Sequence, residues 1–127
     1  MKLMKPTSSR DKSVEWAIRL RPRIYRGEEI AMGPGKAELL EHIIETGSLR
    51  KAAERMNMSY MRAWTLVQTM NHCFKRPIVE LRRGGAHHGA AVLTETGKTL
   101  LALYRQFESE SLRAAQPIQQ ALKKHFR

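Results

Sequence analysis

Two helix-like runs, interrupted at Asn57-Met58-Ser59, constrain the fold of this chain more than any other feature of its sequence. Ser48 is a good N-cap for a short helix over residues 49–56, and Asn57 tolerates the left-handed conformation that ends such a helix. Ser59 then caps a second helix, and Met58 is the apolar turn residue that fills the corner between the two. Each helix has an inner face at helical spacing, made of Leu49, Ala52, Ala53 and Met56 in the first and of Ala63, Leu66, Val67 and Met70 in the second. The sequence therefore predicts a helix-turn-helix unit, whose second helix can enter a major groove.

The charge of the chain favours an acidic polymer as its partner. Its 127 residues include 23 Lys and Arg against 12 Asp and Glu, which gives a net charge of +11 and a pI near 10.4. The excess is uneven, since residues 28–46 carry one basic and five acidic side chains, whereas residues 47–94 carry eight and two. We therefore expect a face that binds double-stranded DNA within residues 47–94.

A membrane surface is the second acidic partner to consider. No apolar run approaches the ~18 residues of a membrane span, and the first 13 residues lack the apolar stretch of a signal peptide. The single cysteine, Cys73, excludes an internal disulfide framework and suits a reducing compartment. We therefore expect a cytoplasmic protein with no membrane partner, in which Cys73 is a small residue late in a helix.

The outer face of the second helix is the predicted DNA-reading surface. At 100° per residue, the side opposite the apolar residues carries Met61, Arg62, Thr65, Gln68, Thr69 and His72. Arg62 can make a bidentate contact to guanine, Gln68 can pair with adenine, and either threonine can meet a thymine methyl or a phosphate. Ser59 and Tyr60 stand at the positive end of this helix, where phosphates bind readily. The alternative is a solvated face on a three-helix core, and Trp64, near the edge of the apolar side, is expected to pack in that core.

Strand and helix patterns precede this unit. The alternation from Ile18 to Arg21 predicts a half-buried strand, which Pro22 makes an edge strand and which continues through Ile24 and Tyr25. A turn over residues 26–29 and a second strand over residues 30–32 complete a hairpin. Pro34 then starts a helix that runs to about Thr46, and Gly47 ends it in the left-handed conformation. The buried face of that helix is predicted to hold Ala37, Leu39, Leu40, Ile43 and Ile44.

After Pro77 the pattern changes from helix to strand. Residues 78–81 and 92–94 predict two strands joined by a basic, glycine-rich loop, which together form a wing. Such a loop can lie along a minor groove or a phosphate backbone, with contacts from Arg82, Arg83, His87 and His88. The histidines, with His72 and Cys73, also suggest a metal site. Adjacent histidines on a loop have no ligand spacing that we recognise, so we expect neither a metal nor a cofactor.

The stretch from about Glu95 to Ala115 predicts a long helix, and Pro117 ends or kinks it. It carries more apolar surface than a small three-helix core can cover. The residues at seam spacing are Leu100, Leu101, Tyr104, Phe107 and Leu112, with Leu103 beside them. We therefore predict a homodimer held chiefly by this helix. Residues 116–126 could fold back and thicken the dimer interface.

The runs GPGKAELLEHIIETGSLRKAAERMNMSYMRAWTLVQTMN, PIVELRRGG and VLTETGKTLLALYRQFE resemble the DNA-binding domain of ModE-type molybdate-responsive regulators, which is related to LysR-type winged helices. The resemblance covers roughly residues 18–108 and implies a winged helix-turn-helix with a long helix after the wing. It also implies a protein whose full-length relatives bind DNA as dimers and repress molybdate-transport genes. The oxyanion-binding domains of that family follow the long helix, where this chain ends, so we expect no direct molybdate binding.

The predicted fold class is mainly α with small β elements: a winged helix-turn-helix with an N-terminal β-hairpin and a long C-terminal dimerisation helix. Residues 1–13 are predicted to be a flexible basic arm, residues 14–94 the DNA-binding domain, and residues 95–127 the dimerisation segment. The predicted function is that of a sequence-specific DNA-binding transcriptional regulator. The alternative is a basic architectural or interaction module that uses this fold without base readout. No carboxylate pair, nucleophile with base, or phosphate loop has catalytic spacing, so we do not expect an enzyme.

Overall fold

The computed structural model describes residues 14–82 and 89–127. Within these two ranges the chain forms four short strands and five helices in the order ββαααββαα. The strands are β1 (Ile24–Arg26), β2 (Glu29–Met32), β3 (Val79–Arg82) and β4 (Ala90–Leu93). The helices are α1 (Pro34–Thr46), α2 (Leu49–Arg55), α3 (Tyr60–Cys73), α4 (Glu95–Ala114) and α5 (Gln116–Lys123). In these ranges no helix has both the length and the apolar character that a membrane crossing requires.

The helix-turn-helix predicted from the interruption at residues 57–59 is confirmed. Asn57 adopts a φ of 55°, and Gly47 ends α1 with a φ of 66°, so both helix ends use the left-handed region. Ser48 accepts a hydrogen bond from the backbone N–H of Lys51 at 3.1 Å, and Ser59 accepts one from Arg62 at 3.0 Å. These caps satisfy backbone donors that a helix start leaves without a partner, so α2 and α3 begin where the two serines stand.

The core lies among β2, the first three helices, the wing strands and α4. Its largest fully buried side chains are Met32, Leu39, Leu40, Ile43, Leu49, Val67, Met70 and Ile78. Met58 and Trp64 are partly buried against this core, as predicted for a turn residue and an edge residue. Leu66, predicted on the inner face of α3, is only partly buried and packs at its margin.

The wing is a two-stranded antiparallel sheet in which Val79 pairs with Leu93 and Arg82 pairs with Ala90. Its start is held by Asn71 of α3, whose Oδ1 accepts hydrogen bonds from the N–H groups of Ile78 at 2.7 Å and Val79 at 3.2 Å. The Nδ2 of Asn71 donates to the Val79 carbonyl at 3.1 Å. A single side chain therefore fixes the first residues of the wing to α3.

The hairpin at the start of the described chain is shorter than predicted. Residues 14–23 contain no strand, and β1 begins only at Ile24 and pairs with β2 alone. The alternation from Ile18 to Arg21 was therefore the wrong basis for a strand, because β2 is four residues long and offers no partner that far along the chain. Ile44 was also misassigned, since 56% of its surface is exposed. Helical spacing shows which face of a helix a side chain lies on, but it does not show how far the elements packed on that face extend.

The chain divides into two compact units, and their bounds differ from the predicted functional division. One unit is Arg21–Glu110, which takes in the hairpin, α1 to α3, the wing and most of α4. The other includes residues 14–20 and Ser111–Arg127. In it the Trp16 ring stacks on Phe126 at 4.4 Å between centroids, and Trp16 Nε1 donates to the Arg127 carbonyl at 2.6 Å. The predicted basic arm, residues 1–13, lies outside the described residues.

Candidate nucleic-acid interface

The outer face of α3 is open to solvent, as the helical wheel predicted. Met61, Arg62, Thr65, Gln68 and His72 are exposed, whereas Thr69 is partly buried. Among the residues that the structure describes, the side chains of Arg62 and Gln68 make no hydrogen bond or ion pair, so their donors and acceptors are available to a ligand.

The two threonines of this face are less free than their sequence suggested. Thr65 Oγ1 donates to the Met61 carbonyl at 2.9 Å, and Thr69 Oγ1 donates to the Thr65 carbonyl at 3.0 Å. Such bonds to the preceding turn are a common use of threonine inside a helix. Both hydroxyl protons are therefore consumed within α3, and each side chain retains its methyl group and hydroxyl lone pairs for a ligand.

A basic groove lies beside the start of α3. It has a volume of about 610 Å³ and is lined by residues of α2, α3 and the wing: Ser48, Arg50, Lys51, Tyr60, Met61, Trp64, Leu81, Arg82, Gly89 and Ala90. The Arg50 guanidinium lies 5.1 Å from the centre of the Tyr60 ring, which is a cation–π distance. The groove thus combines three cationic side chains with aromatic and aliphatic walls, a surface suited to a sugar-phosphate strand.

Sequence reasoning missed Arg50 and Lys51 as members of this site. They directly follow Ser48 and Leu49 at the first turn of α2, and that local signal was present in the sequence. The sequence did not show that Arg82 joins them, because Arg82 lies 31 positions after Lys51 and reaches the same groove only when β3 packs against the helices. Of the predicted wing contacts, Arg82 is exposed at the end of β3, whereas Arg83, His87 and His88 lie outside the described residues.

Backbone pairing joins the wing to the helix-turn-helix. The N–H of Ala91 donates to the Gly47 carbonyl at 3.0 Å, and Ser48 and Ala90 form an antiparallel bridge. At the other end of the wing, Thr94 Oγ1 donates to the Pro77 carbonyl at 2.6 Å. The two walls of the basic groove, α2 and β4, are therefore connected directly.

Two ionisable side chains in or near α3, Lys36 and Cys73, have shifted pKa values. Burial lowers the pKa of the Lys36 ammonium, and the positive charge of Arg62 acts in the same direction. Lys36 is thus near enough to Arg62 to feel its charge. Cys73 contacts Glu29, with Sγ 3.8 Å from Oε1, and burial followed by that carboxylate raises the pKa of the thiol. In the ranges 14–82 and 89–127, no group of three or more His, Cys, Asp or Glu side chains could hold a metal ion.

The residues predicted to form a dimer seam on α4 do not share one environment. Leu101 and Tyr104 are buried in the core of this same chain, and the Tyr104 hydroxyl donates to the Pro22 carbonyl at 2.7 Å. Burial raises the pKa of that hydroxyl, and Glu108 adds to the effect. Leu100 and Leu112 are partly buried, whereas Phe107 and Leu103 are each 53% exposed. Leu101 and Tyr104 are therefore not available to a dimer seam, because α4 packs them into the core of its own chain.

Beside these buried residues, α4 borders an apolar groove of about 230 Å³. The groove is lined by Ile24, Met32, Phe74, Leu100, Leu103, Tyr104 and Phe107. On another side of α4, Arg105 makes a bidentate ion pair with Glu41 of α1, with Nε at 2.9 Å from Oε2 and Nη2 at 2.8 Å from Oε1. These bonds raise the pKa of Arg105, although burial opposes them.

Comparison with known proteins identifies the family to which this fold and surface belong. The family model described as "Bacterial regulatory helix-turn-helix protein, lysR family" matches residues 35–98, which run from α1 through the wing to the start of α4. Among solved structures, the CbnR_DBD–DNA complex contains a chain that aligns with a TM-score of 0.53 at 19% identity, over 69% of this chain and 95% of that one. That likeness shows the winged helix-turn-helix fold predicted from the sequence.

Relatives of known role are longer than this chain. The molybdenum-pterin-binding protein MopB of Rhodobacter capsulatus is 41% identical over 78 residues, which are 61% of this chain and 29% of that protein. The molybdenum transport protein ModE of Azotobacter vinelandii is 36% identical over 80 residues, 63% of this chain and 30% of that protein. The DNA-binding transcriptional dual regulator ModE of Escherichia coli (strain K12) is 35% identical over 77 residues, 61% of this chain and 29% of that protein.

This chain thus spans less than a third of the length of these three relatives. The predicted resemblance to the helix-turn-helix domain of ModE-type regulators is confirmed over the matched region. The chain belongs to the lysR family of bacterial regulatory helix-turn-helix proteins.

Proposed function

We propose that this chain binds double-stranded DNA at specific sequences and regulates transcription. Helix α3 would enter the major groove, where Arg62 and Gln68 would recognise base edges, and the wing would lie against the neighbouring backbone. The observation that carries this proposal is the pair of exposed side chains Arg62 and Gln68, which have no partner among the described residues, directly beside a groove with three cations. A surface that only needs solvation has no reason to combine the two.

The basic groove supplies the positioning contacts in this proposal. Arg50, Lys51 and Arg82 would hold phosphates, while Ser59 and Tyr60 stand at the positive end of α3. The sequence-based prediction adds contacts from Arg83, His87 and His88 of the wing loop, which lie outside the described residues. Phosphate contacts give affinity without sequence information, whereas Arg62 and Gln68 would give the specificity.

Selection of bound duplexes from a random library tests this function. A regulator should prefer its selected duplex over shuffled DNA by roughly 10³-fold or more at physiological salt. A chain that binds both equally would instead be the architectural module that we consider as the alternative. Affinity should also fall about 10³-fold between 50 and 200 mM salt if six or more phosphates are contacted. A flat salt response would contradict any DNA-binding role.

Single substitutions separate the two kinds of contact. Arg62→Ala should weaken binding by ~1–3 kcal/mol and relax the preference at one base pair, whereas Arg82→Ala should weaken all sequences alike. Lys98→Ala is a matched control, because it removes one positive charge from an exposed site on α4 outside the basic groove. Uniform loss in both arginine variants would show that the recognition face has been misassigned.

We also propose that the working unit is a homodimer. Leu103 and Phe107 border the apolar groove and are half exposed, so a second copy that covers them would bury apolar surface at little cost in polar groups. Phe107→Glu should dissociate the dimer in sedimentation velocity, whereas Ala102→Glu, on the same helix but outside the groove, should not. A parent chain that sediments as a 14.6 kDa monomer at micromolar concentration would contradict the dimer.

We also propose that this chain is not an enzyme and that it works in the cytoplasm, where bacterial DNA lies. Two of the relatives are named for molybdenum-pterin binding and molybdenum transport. The expectation that this chain does not itself bind molybdate stays a prediction. Isothermal titration with molybdate tests it, and a stoichiometric micromolar site would contradict it.

A further inference from the structure

We infer that Met61 recognises the 5-methyl group of a thymine, and that Thr65 extends this apolar contact by one helical turn. The inference rests on the proposed function, because it requires α3 to lie in a major groove. It adds a chemical preference that Arg62 and Gln68 do not supply, namely for thymine over cytosine at a base pair next to the basic groove.

The exposure of Met61 is the first observation. Met61 is 62% exposed, the highest value among the large hydrophobic side chains described in the unit Arg21–Glu110. Two other exposed residues of this type, Leu103 and Phe107, border the apolar groove beside α4. Met61 instead lines the basic groove. An occupant that satisfies both the cations and the thioether must carry negative charge and an apolar group close together.

Duplex DNA meets that requirement at thymine. Of the four bases, only thymine presents a methyl group in the major groove, a few ångströms from the phosphates of its own strand. A backbone held by Arg50 and Lys51 would bring the adjoining base edges to the start of α3, where Met61 is the second residue. The flexible, polarisable methionine side chain suits such a contact, because it can adapt to a small apolar group.

Thr65 supports the same chemistry. It follows Met61 by one turn on the exposed face, and its hydroxyl proton is already donated to the Met61 carbonyl at 2.9 Å. It therefore has no proton to give to a base acceptor without breaking a bond in the helix. Its methyl group remains, so this part of the α3 face offers apolar contact between the polar groups of Arg62 and Gln68.

The experiment uses the full chain and the duplex that it selects from a random library. Each thymine is replaced in turn by deoxyuridine, which removes only the 5-methyl group. We expect one or two thymines at which this change weakens binding about fourfold, the value for losing one buried methyl-sized group. If no deoxyuridine substitution changes the affinity of a selected duplex, the inference is wrong. If no duplex is preferred over shuffled DNA, the proposed function has failed instead.

Variants of Met61 and Thr65 then show which side chain contacts each sensitive thymine methyl. Met61→Gln should bind thymine and uracil equally at one position, and Met61→Leu should keep the discrimination. Thr65→Val retains a methyl and removes the hydroxyl, so the loss on deoxyuridine substitution should persist, whereas Thr65→Ser should abolish that loss, about fourfold, at one position. Gln68→Ala is the matched control, which should weaken binding and leave the methyl effect intact. Persistence of the full methyl effect in both Met61→Gln and Thr65→Ser would overturn the inference.

Discussion

Gly97, in the first turn of α4, is predicted to be the least replaceable glycine of the described chain. A Cβ built on Gly97 would overlap the carbonyl oxygen of Ile78 and would lie 3.1 Å from the Ile78 Cγ2. The Ile78 carbonyl cannot simply turn away, because it accepts the N–H of Thr94 at 3.0 Å. Gly97→Ala must therefore push the start of α4 away from the start of the wing.

Two opposing effects set the size of the change. Alanine is favoured over glycine in a helix by ~1 kcal/mol, whereas overpacking costs ~1–3 kcal/mol and a weakened hydrogen bond about another 1. The overpacking should dominate, because the clash is with backbone rather than with a movable side chain. We expect a net loss of about 2 kcal/mol in the free energy of unfolding, or roughly 5–10 °C in melting temperature for a chain of this size.

Urea unfolding followed by circular dichroism measures this loss. Gly35→Ala is the matched control, because Gly35 is also in the first turn of a helix but a Cβ there would meet nothing within 4 Å. We expect that variant to be neutral or up to about 1 kcal/mol more stable. If Gly97→Ala unfolds at or above the parent's urea midpoint, the close approach of α4 to Ile78 does not govern the stability of this region.

Changes at three further sites test contacts elsewhere in the fold. Asn71→Ala removes three hydrogen bonds to the wing and should cost about 2–3 kcal/mol in urea unfolding, whereas Asn71→Asp keeps two acceptor contacts and should cost less. Tyr104→Phe loses the bond to the Pro22 carbonyl and should lower stability by about 1 kcal/mol, with the helical circular dichroism signal unchanged. Cys73 should react with iodoacetamide more slowly than glutathione at pH 8, because its raised pKa lowers the thiolate fraction, and Glu29→Gln should speed the reaction.

The local features of the helix-turn-helix were readable from the sequence because they depend on backbone conformation within a few residues. Gly47 and Asn57 adopt left-handed conformations, which few other residue types tolerate. Ser48 and Ser59 cap helices because their side chains reach the third backbone N–H that follows. The turn residue Met58 needed only an apolar side chain at the right spacing.

Features that depend on partners distant in the sequence were not readable in the same way. The alternation from Ile18 to Arg21 has no strand to pair with, and Ile44 lies where the covering elements end. Leu101 and Tyr104 have the spacing of a seam between two chains, but a seam and a core look alike when only periodicity is known. Their burial follows from the packing of α4 on the winged unit, which the sequence pattern does not specify.

The basic groove also depends on contacts between residues distant in the sequence. The turn at Gly47 and Ser48 both connects α1 to α2 and pairs with the wing. Gly47 ends α1 in the left-handed conformation, and its carbonyl also accepts the N–H of Ala91 in β4. The residue after it, Ser48, both caps α2 and bridges Ala90. The cations of α2 and the wing strand β4 are thus fixed to the same two residues. A ligand that fills the groove therefore meets α2, α3 and the wing at a separation that the fold determines before binding.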